Sequence, residues 1–297
     1  MKIGISRPYA DPGHPIPDVD MGAICQIAEE VGFDWVTYGH HTIRPLDEPV
    51  KPPHFGVPLY LDPLIGAARG LALTKTLEVS TSVLIMPMQH PVVVAKQVAT
   101  IDRYGGAGRF FLGLGTGGAS RLEIELTGGS FERRWAYTME SIAIMKGLWT
   151  EDRFTFKGEF FNFPPTLLGP RPATKPHTPI WLGGFSDAVL QRIGEHCNGW
   201  LPVYGGAKLA FGTGHAGTDS AYDDLKAGRR KLHRFAEEAG REVPHFDINV
   251  ILTPESATDV VRGFEDAGAD RLAFTLPEVT SVEEARAELE KLAGYVL

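Results

Sequence analysis

Two short segments carry residues whose type and spacing suit chemistry. Gly39-His40-His41-Thr42 sets two adjacent imidazoles at the end of a β-branched, aromatic run over 34–41. Imidazole titrates near neutrality, so a strand-end histidine is a candidate proton exchanger. Adjacent side chains leave a strand on opposite faces, so His40 and His41 cannot point the same way. That spacing argues against a zinc site built from this pair with the scattered His54 and His90. Gly183-Gly184-Phe185-Ser186 ends a second apolar run and opens a helix. The glycines let a ligand approach the backbone, and amides at a helix start face outward, which is a phosphate-binding arrangement. A plain glycine turn with an N-cap serine explains the same four residues equally well.

Both segments need elements to position them. A strand-then-helix pattern runs through the chain eight times. Strands are predicted at 2–6, 34–41, 77–86, 109–117, 179–185, 199–203, 246–252 and 271–276. Helices are predicted at 19–31, 62–73, 91–103, 135–149, 186–196, 256–267 and 282–292, with a charged helix ending near Ala239-Gly240. Asp62 followed by Pro63 is a helix-start signal. The segment 154–163 alternates around Lys157-Gly158 as a hairpin does, and the Pro-rich stretch 164–179 reads as an ordered insertion. Eight alternations predict an α/β chain folded as a (β/α)8 TIM barrel, with that insertion before strand 5 and a single domain over 1–297. A doubly wound open sheet is disfavoured, because no strand runs into GxGxxG with an acidic residue ~20 positions on.

In such a barrel the chemistry sits at the C-terminal strand ends. Beyond the two segments above, these ends are Ser6-Arg7-Pro8-Tyr9, the stretch 82–86, Thr116-Gly117-Gly118, Val203-Tyr204 and Thr275. They nearly lack carboxylates, which disfavours two-carboxylate hydrolysis and Mg-carboxylate sites; no metal is expected. The 297 residues hold 29 Lys+Arg against 37 Asp+Glu, a formal charge of −8. That balance speaks against a nucleic-acid partner, and Arg229-Arg230-Lys231 reads as a solvated helix face. No apolar run approaches the ~18 residues of a membrane span, and the chain opens directly on a strand, so a cytoplasmic protein without a membrane partner is expected. Cys25 and Cys197 lack CxxC or ligand spacing and are expected buried in helices.

Over nearly its whole length the chain resembles the luciferase-like monooxygenase superfamily. The resemblance is carried by FDWVTYGHH (33–41), STSVLIMPMQHPVVVAKQVATIDRYGGAGRFFLGLGTG (80–117) and LGPRPATKPHTPIWLGGFSDAVLQRIGEHCNGWLP (168–202). It implies a (β/α)8 barrel with an insertion before the fifth strand, FMN or coenzyme F420 at the barrel mouth, and often a dimer. By position, His41 matches the active-site histidine after strand two, and His40 stands where many members have Asp or Glu. Ser82-Val83, in the TSVL run that Thr81 opens, matches a bulge that in F420-binding members often carries a non-proline cis peptide. Gly183, Gly184, Phe185 and Ser186 match the loop that approaches the cofactor phosphate. The segment from Thr116 to Arg121 resembles the GTGEALNE segment of F420-dependent glucose-6-phosphate dehydrogenases. Gly118 replaces its catalytic glutamate and Arg121 its asparagine, which speaks against sugar-phosphate dehydrogenation. Arg134, Glu140 and Trp149 match a family helix, with Arg134 and Glu140 expected to be structural.

The resemblance therefore implies an F420-dependent oxidoreductase that passes a hydride between C5 of the deazaflavin and an unidentified small organic substrate. His41 is the expected catalytic residue and handles the accompanying proton. His40, Thr81, Ser82, Val83, Thr116, Gly183, Gly184, Phe185 and Ser186 are the expected cofactor-binding residues. Arg44, Lys51 and Lys208 are candidates to meet the acidic tail of F420. Phe55, Tyr60, Met86, Met88, Phe185 and Tyr204 are candidates to line an apolar substrate pocket, and Trp35, Trp181 and Trp200 to pack. Two alternatives stay open: an FMN-dependent monooxygenase using reduced flavin and oxygen, and a barrel that binds a flavin or deazaflavin without catalysis. A homodimer is expected.

Overall fold

Eight parallel strand positions close into a barrel, in the order expected of sequential βα units. The computed structural model describes residues 1–6, 21–43, 61–118, 120–204, 219–252, 260–277 and 279–297. The first half runs β1 (Lys2–Ser6), α1 (Met21–Val31), β2 (Trp35–Tyr38), α2 (Pro63–Leu73) and β3 (Glu78–Thr81). It continues with β4 (Leu84–Ile85), α3 (Pro91–Gly105), β5 (Phe110–Gly115), α4 (Arg121–Leu126) and α5 (Arg134–Thr150). A hairpin of β6 (Phe154–Lys157) and β7 (Asn162–Thr166) leads to β8 (Ile180–Gly183), α6 (Asp187–His196), β9 (Gly199–Leu201) and β10 (Val203–Tyr204). Then come α7 (Asp219–Glu238), β11 (Asp247–Leu252), α8 (Val261–Asp266), β12 (Arg271–Thr275) and α9 (Val282–Val296). Neighbours follow β1-β2-β3-β5-β8-β9-β11-β12, and β12 returns to β1 in register, Lys2 opposite Arg271 and Ser6 opposite Thr275.

Strands covered on both faces should be apolar throughout, and β2 and β5 are buried over their full length. Period-two alternation separates two cores. One face of the strands packs on the helices through residues such as Ile5, Val36, Val79, Leu112 and Leu272. The other fills the barrel with Trp35, Phe111, Trp181, Leu201, Ile251 and Ala273. Trp35, Trp181 and Trp200 are thus packing residues, as expected; the Trp181 ring stacks on Phe111 at 4.5 Å and meets Trp35 edge-on at 6.3 Å. The N-terminal end of the barrel is closed by Arg271. Its guanidinium lies over Phe111 at 4.6 Å and pairs with Glu78 at 3.0 Å and Asp247 at 3.4 Å.

The Pro-rich insertion is ordered, and α3 explains why. Asp102, fully buried, accepts the Thr174 amide at 2.8 Å and its hydroxyl at 2.6 Å. Lys96 reaches Gly169 O, and Arg103 Nε donates to Arg171 O at 2.5 Å. The AK and ATIDR parts of the family motif therefore clamp this loop to the barrel. Its first residues extend the hairpin, since β7 runs through Pro164-Pro165 to Thr166. That differs from a purely irregular stretch, and an edge strand can carry prolines where its N–H side needs no partner.

Three expectations shift. The third strand does not run unbroken over 77–86 but divides into β3 and β4 around Ser82-Val83, followed by a 3₁₀ turn at Met86–Met88. A short helix, α4, occupies a stretch that reads as irregular. Cys25 is buried within α1, whereas Cys197 is buried just beyond α6. His54, Phe55, Tyr60, Arg44, Lys51, Lys208 and the predicted start of a helix at Ser256 lie outside the described residues.

Candidate functional site

The expected residues fall at the C-terminal ends of β2, β3/β4, β5 and β8, which are consecutive neighbours in the barrel. At the end of β2 the two histidines diverge. His40 is 5% exposed, and its Nδ1 accepts the Ile85 amide at 3.1 Å. The proton must then sit on Nε2, which faces the Thr42 hydroxyl at 3.3 Å. Burial holds the His40 pKa down to about 4, against the pull of Asp62 and Glu123, so the ring is neutral at physiological pH. Both ring nitrogens are committed to the protein, and His40 ties β2 to β4 instead of presenting a polar atom.

His41 is half-buried and meets a carboxylate that strand-end reading missed. Its Nδ1 lies 2.7 Å from Glu123 Oε2. Glu123 is 2% exposed, and its Oε1 accepts the amides of Thr42 at 2.8 Å and Ile43 at 3.3 Å. Burial alone would raise its pKa. The His41 contact and the two amides outweigh burial and hold the group below the usual carboxylate range. A signal for α4 was present: Ser120-Arg121-Leu122-Glu123 has the S-x-x-E spacing of a helix start. Nothing local announces that this glutamate turns to residues eighty positions earlier.

Between β3 and β4 the Ser82-Val83 peptide is cis, as expected for that position. Thr81 is buried, with its hydroxyl on Gly113 O at 2.7 Å, and the Ser82 amide donates to Tyr38 O at 2.7 Å. Val83 packs with the inner barrel core. It fits because position 115 is glycine, where a Cβ would stand 2.3 Å from Val83 Cγ2. Thr116 follows β5 and is 9% exposed. Below these residues lies a polar layer in which the Ser80 hydroxyl donates to Thr37 at 2.7 Å, and Ser6 and Thr275 meet at 3.0 Å.

Beside Val83, Gly183 ends β8 and Gly184 turns the chain with φ +124°, a conformation L side chains rarely adopt. Trp200 Nε1 fixes the Gly184 carbonyl at 2.6 Å, and Phe185 packs edge-on against Trp200 and Tyr204. Met86, Met88 and Tyr204 are buried. Ser186 precedes α6 at the N-cap position, but its hydroxyl makes no capping bond. The expected serine cap is therefore corrected: Ser186, Asp187 and Ala188 are exposed, and amides of a first helical turn lack intrahelical acceptors. Asp187 instead pairs with Lys231 at 2.6 Å.

Arg134, Glu140 and Trp149 lie off this arc. Arg134 stacks on Phe131, Glu140 takes the amides of Glu159, Phe160 and Phe161 in the hairpin turn, and Trp149 donates to Ala95 O. Among the described residues, His245, Asp247 and Asp270 are spaced as a cation site would be. They occupy the opposite end of the barrel, where Arg271, Trp181 and the Ile248 amide already engage the two carboxylates.

Comparison with known proteins places this geometry. A family model described as luciferase-like monooxygenase matches residues 1–286. An uncharacterized protein of Mycobacterium tuberculosis is 31% identical, covering 92% of this chain and 93% of that protein. An F420-dependent glucose-6-phosphate dehydrogenase of Nakamurella multipartita is 28% identical over 92% of this chain and 74% of its own length. In solved structures, an F420-dependent secondary alcohol dehydrogenase shares the fold at a TM-score of 0.71 and 18% identity, over 100% of this chain and 99% of that one. The oxygenating constituent of 3,6-diketocamphane monooxygenase from Pseudomonas putida, in complex with FMN, shares it at 0.62 and 20%, over 85% and 66%. Similar proteins thus include both F420-dependent and FMN-bound ones.

Proposed function

This chain belongs to the luciferase-like monooxygenase family, and from that premise we propose that it is a cytoplasmic, single-domain oxidoreductase that uses coenzyme F420 to oxidise or reduce a small organic substrate. The observation that carries the reading is the His41–Glu123 pair at 2.7 Å, in the same arc of strand ends as the glycine-lined start of α6. The F420-dependent relative supports F420 over FMN.

The residues present fit such a cofactor. Packing does not demand glycine at 183, since a Cβ there would meet Leu201 O at 3.5 Å and Val83 Cγ1 at 3.6 Å, ordinary contacts. Its absence keeps backbone open beside Val83, and the exposed turn at Ser186 offers amides to a phosphate. Gly183, Gly184, Phe185 and Ser186 would hold that phosphate, with Ser82, Val83 and Thr116 against the ring; Thr81, expected there too, is fully buried with its hydroxyl on Gly113 O and supports them from beneath. When bound, F420 supplies a two-electron hydride carrier. His41 supplies what the carrier lacks, a group that gives or takes the accompanying proton. His40 keeps β2 and β4 in place beneath it.

F420 and FMN share a ribityl phosphate, so the start of α6 accepts either, and binding must be measured. Titration of the purified apoprotein is expected to show F420 binding that weakens with added salt, because Arg44, Lys51 or Lys208 would meet the cofactor's anionic tail. Tight FMN binding with no F420 binding would overturn the assignment and leave an FMN-dependent monooxygenase.

A homodimer is part of the same proposal. Ile65 on α2 and Val93 and Tyr104 on α3 are 71%, 53% and 72% exposed, and positions 93, 97, 100 and 104 share one face of α3. Sedimentation should give twice the chain mass, and Tyr104→Lys should shift it toward the monomer. A wild-type protein that sediments as a monomer would contradict this.

A further inference from the structure

Glu123 stands in the first turn of α4, three residues after Ser120, where a glutamate ordinarily reaches back to the amide of the capping residue. That amide already donates to Gly117 O at 2.9 Å, and the Ser120 hydroxyl makes no capping bond. Glu123 is therefore released from capping and turns to the end of β2. One oxygen takes the Thr42 and Ile43 amides, and the other meets His41 Nδ1. That contact requires one proton, carried either by the carboxyl or by the ring. Two amide donors and an adjacent imidazole favour the ionised carboxylate and outweigh the cost of burial. An ionised carboxylate only accepts, so the proton belongs to the ring.

We propose that Glu123 is a positioning residue: it keeps Nδ1 of His41 protonated and so assigns proton exchange with the substrate to Nε2. The inference rests on the proton role given to His41. In the oxidative direction the substrate gives its proton to Nε2 while a hydrogen leaves with its electron pair to the hydride carrier. The ring then holds both protons beside the Glu123 carboxylate until Nε2 releases one to water. Reduction runs the same proton backwards. Glu123 acts only through the ring, and its two amide bonds fix the carboxylate plane that orients it.

Glu123→Gln separates this role from a packing role. The Gln oxygen can still accept the Thr42 and Ile43 amides, but its NH₂ must donate to Nδ1, which drives the ring proton to Nε2. Nitrogen-15 spectra of histidine-labelled protein without cofactor, with the ring neutral, read the tautomer directly. Wild type should show a protonated, pyrrole-type Nδ1 on His41, and the Gln variant a pyridine-type Nδ1, with F420 affinity changed less than about tenfold (1.4 kcal/mol). Wild type with its proton on Nε2, or an identical tautomer in both proteins, overturns the proposal. Should the variant fail to fold, the wild-type spectrum alone decides. The spectra need no cofactor, so this result stands apart from the F420 titration.

Discussion

Replacing His41 with Asn should lower turnover by roughly 10²–10⁴, the usual cost of losing a general acid–base group. Asparagine retains an N–H that can reach Glu123 Oε2, which His41 meets at 2.7 Å, so the loop at Thr42 and Ile43 keeps its anchor. It removes the imidazole, the group proposed to exchange the proton. Cofactor affinity should change by less than about tenfold, or 1.4 kcal/mol, because the phosphate grip proposed for Gly183–Ser186 comes from a different strand end. The measurement is steady-state turnover of the substrate found for the wild-type enzyme, paired with F420 titration of both proteins. Near-normal turnover would return His41 to a structural role. Complete loss of F420 binding would make it a cofactor ligand. Either result would end the proton-transfer reading.

The second large effect lies at the other end of the barrel. Arg271→Met should destabilise the fold by about 3–5 kcal/mol, the range for removing one partner from a buried ion pair. Methionine can replace the aliphatic stem and some of the contact with Phe111 and Trp181. It cannot answer the charges on Glu78 and Asp247, whose side chains are only 12% and 25% exposed. Lys2 also touches Glu78, but its side chain is 46% exposed and compensates weakly. Urea unfolding followed by circular dichroism measures the loss. Because the proposed site lies at the C-terminal strand ends, affinity of the folded variant for F420, the proposed cofactor, should match wild type. A loss below about 1 kcal/mol, the value of an exposed pair, would show that the barrel floor is solvated.

Several features were legible because their causes are local. The alternation of strands and helices follows from residue spacing, and the Asp62-Pro63 start of α2 is realised by Asp62 accepting the amides of Leu64 and Ile65. The hairpin at β6 and β7, the buried thiols and the packing tryptophans follow from residue type and pattern alone. His41 stood out as a titratable residue at a strand end, and the family resemblance ranked it. The glycine pair at 183–184 was visible too, although the serine beside it does not cap.

What tertiary structure decided is which distant groups meet. Strand three reads as one apolar run, yet it breaks at Ser82-Val83, where Val83 turns into the space left by glycine at 115. Lys96, Asp102 and Arg103 are recognisable as a motif, but their work lies some seventy residues away on the insertion. His40 was expected at the cofactor and is bound by Ile85. Glu123 lies in a stretch that reads as irregular, just past Gly118, the position at which the family resemblance implies a catalytic glutamate. Its partner His41 is 82 residues distant. Periodicity records which face of an element is buried, since that depends on neighbours three or four residues away in a helix and two in a strand. Hydrogen-bond partners across a closed barrel depend on register and closure, which no local spacing encodes.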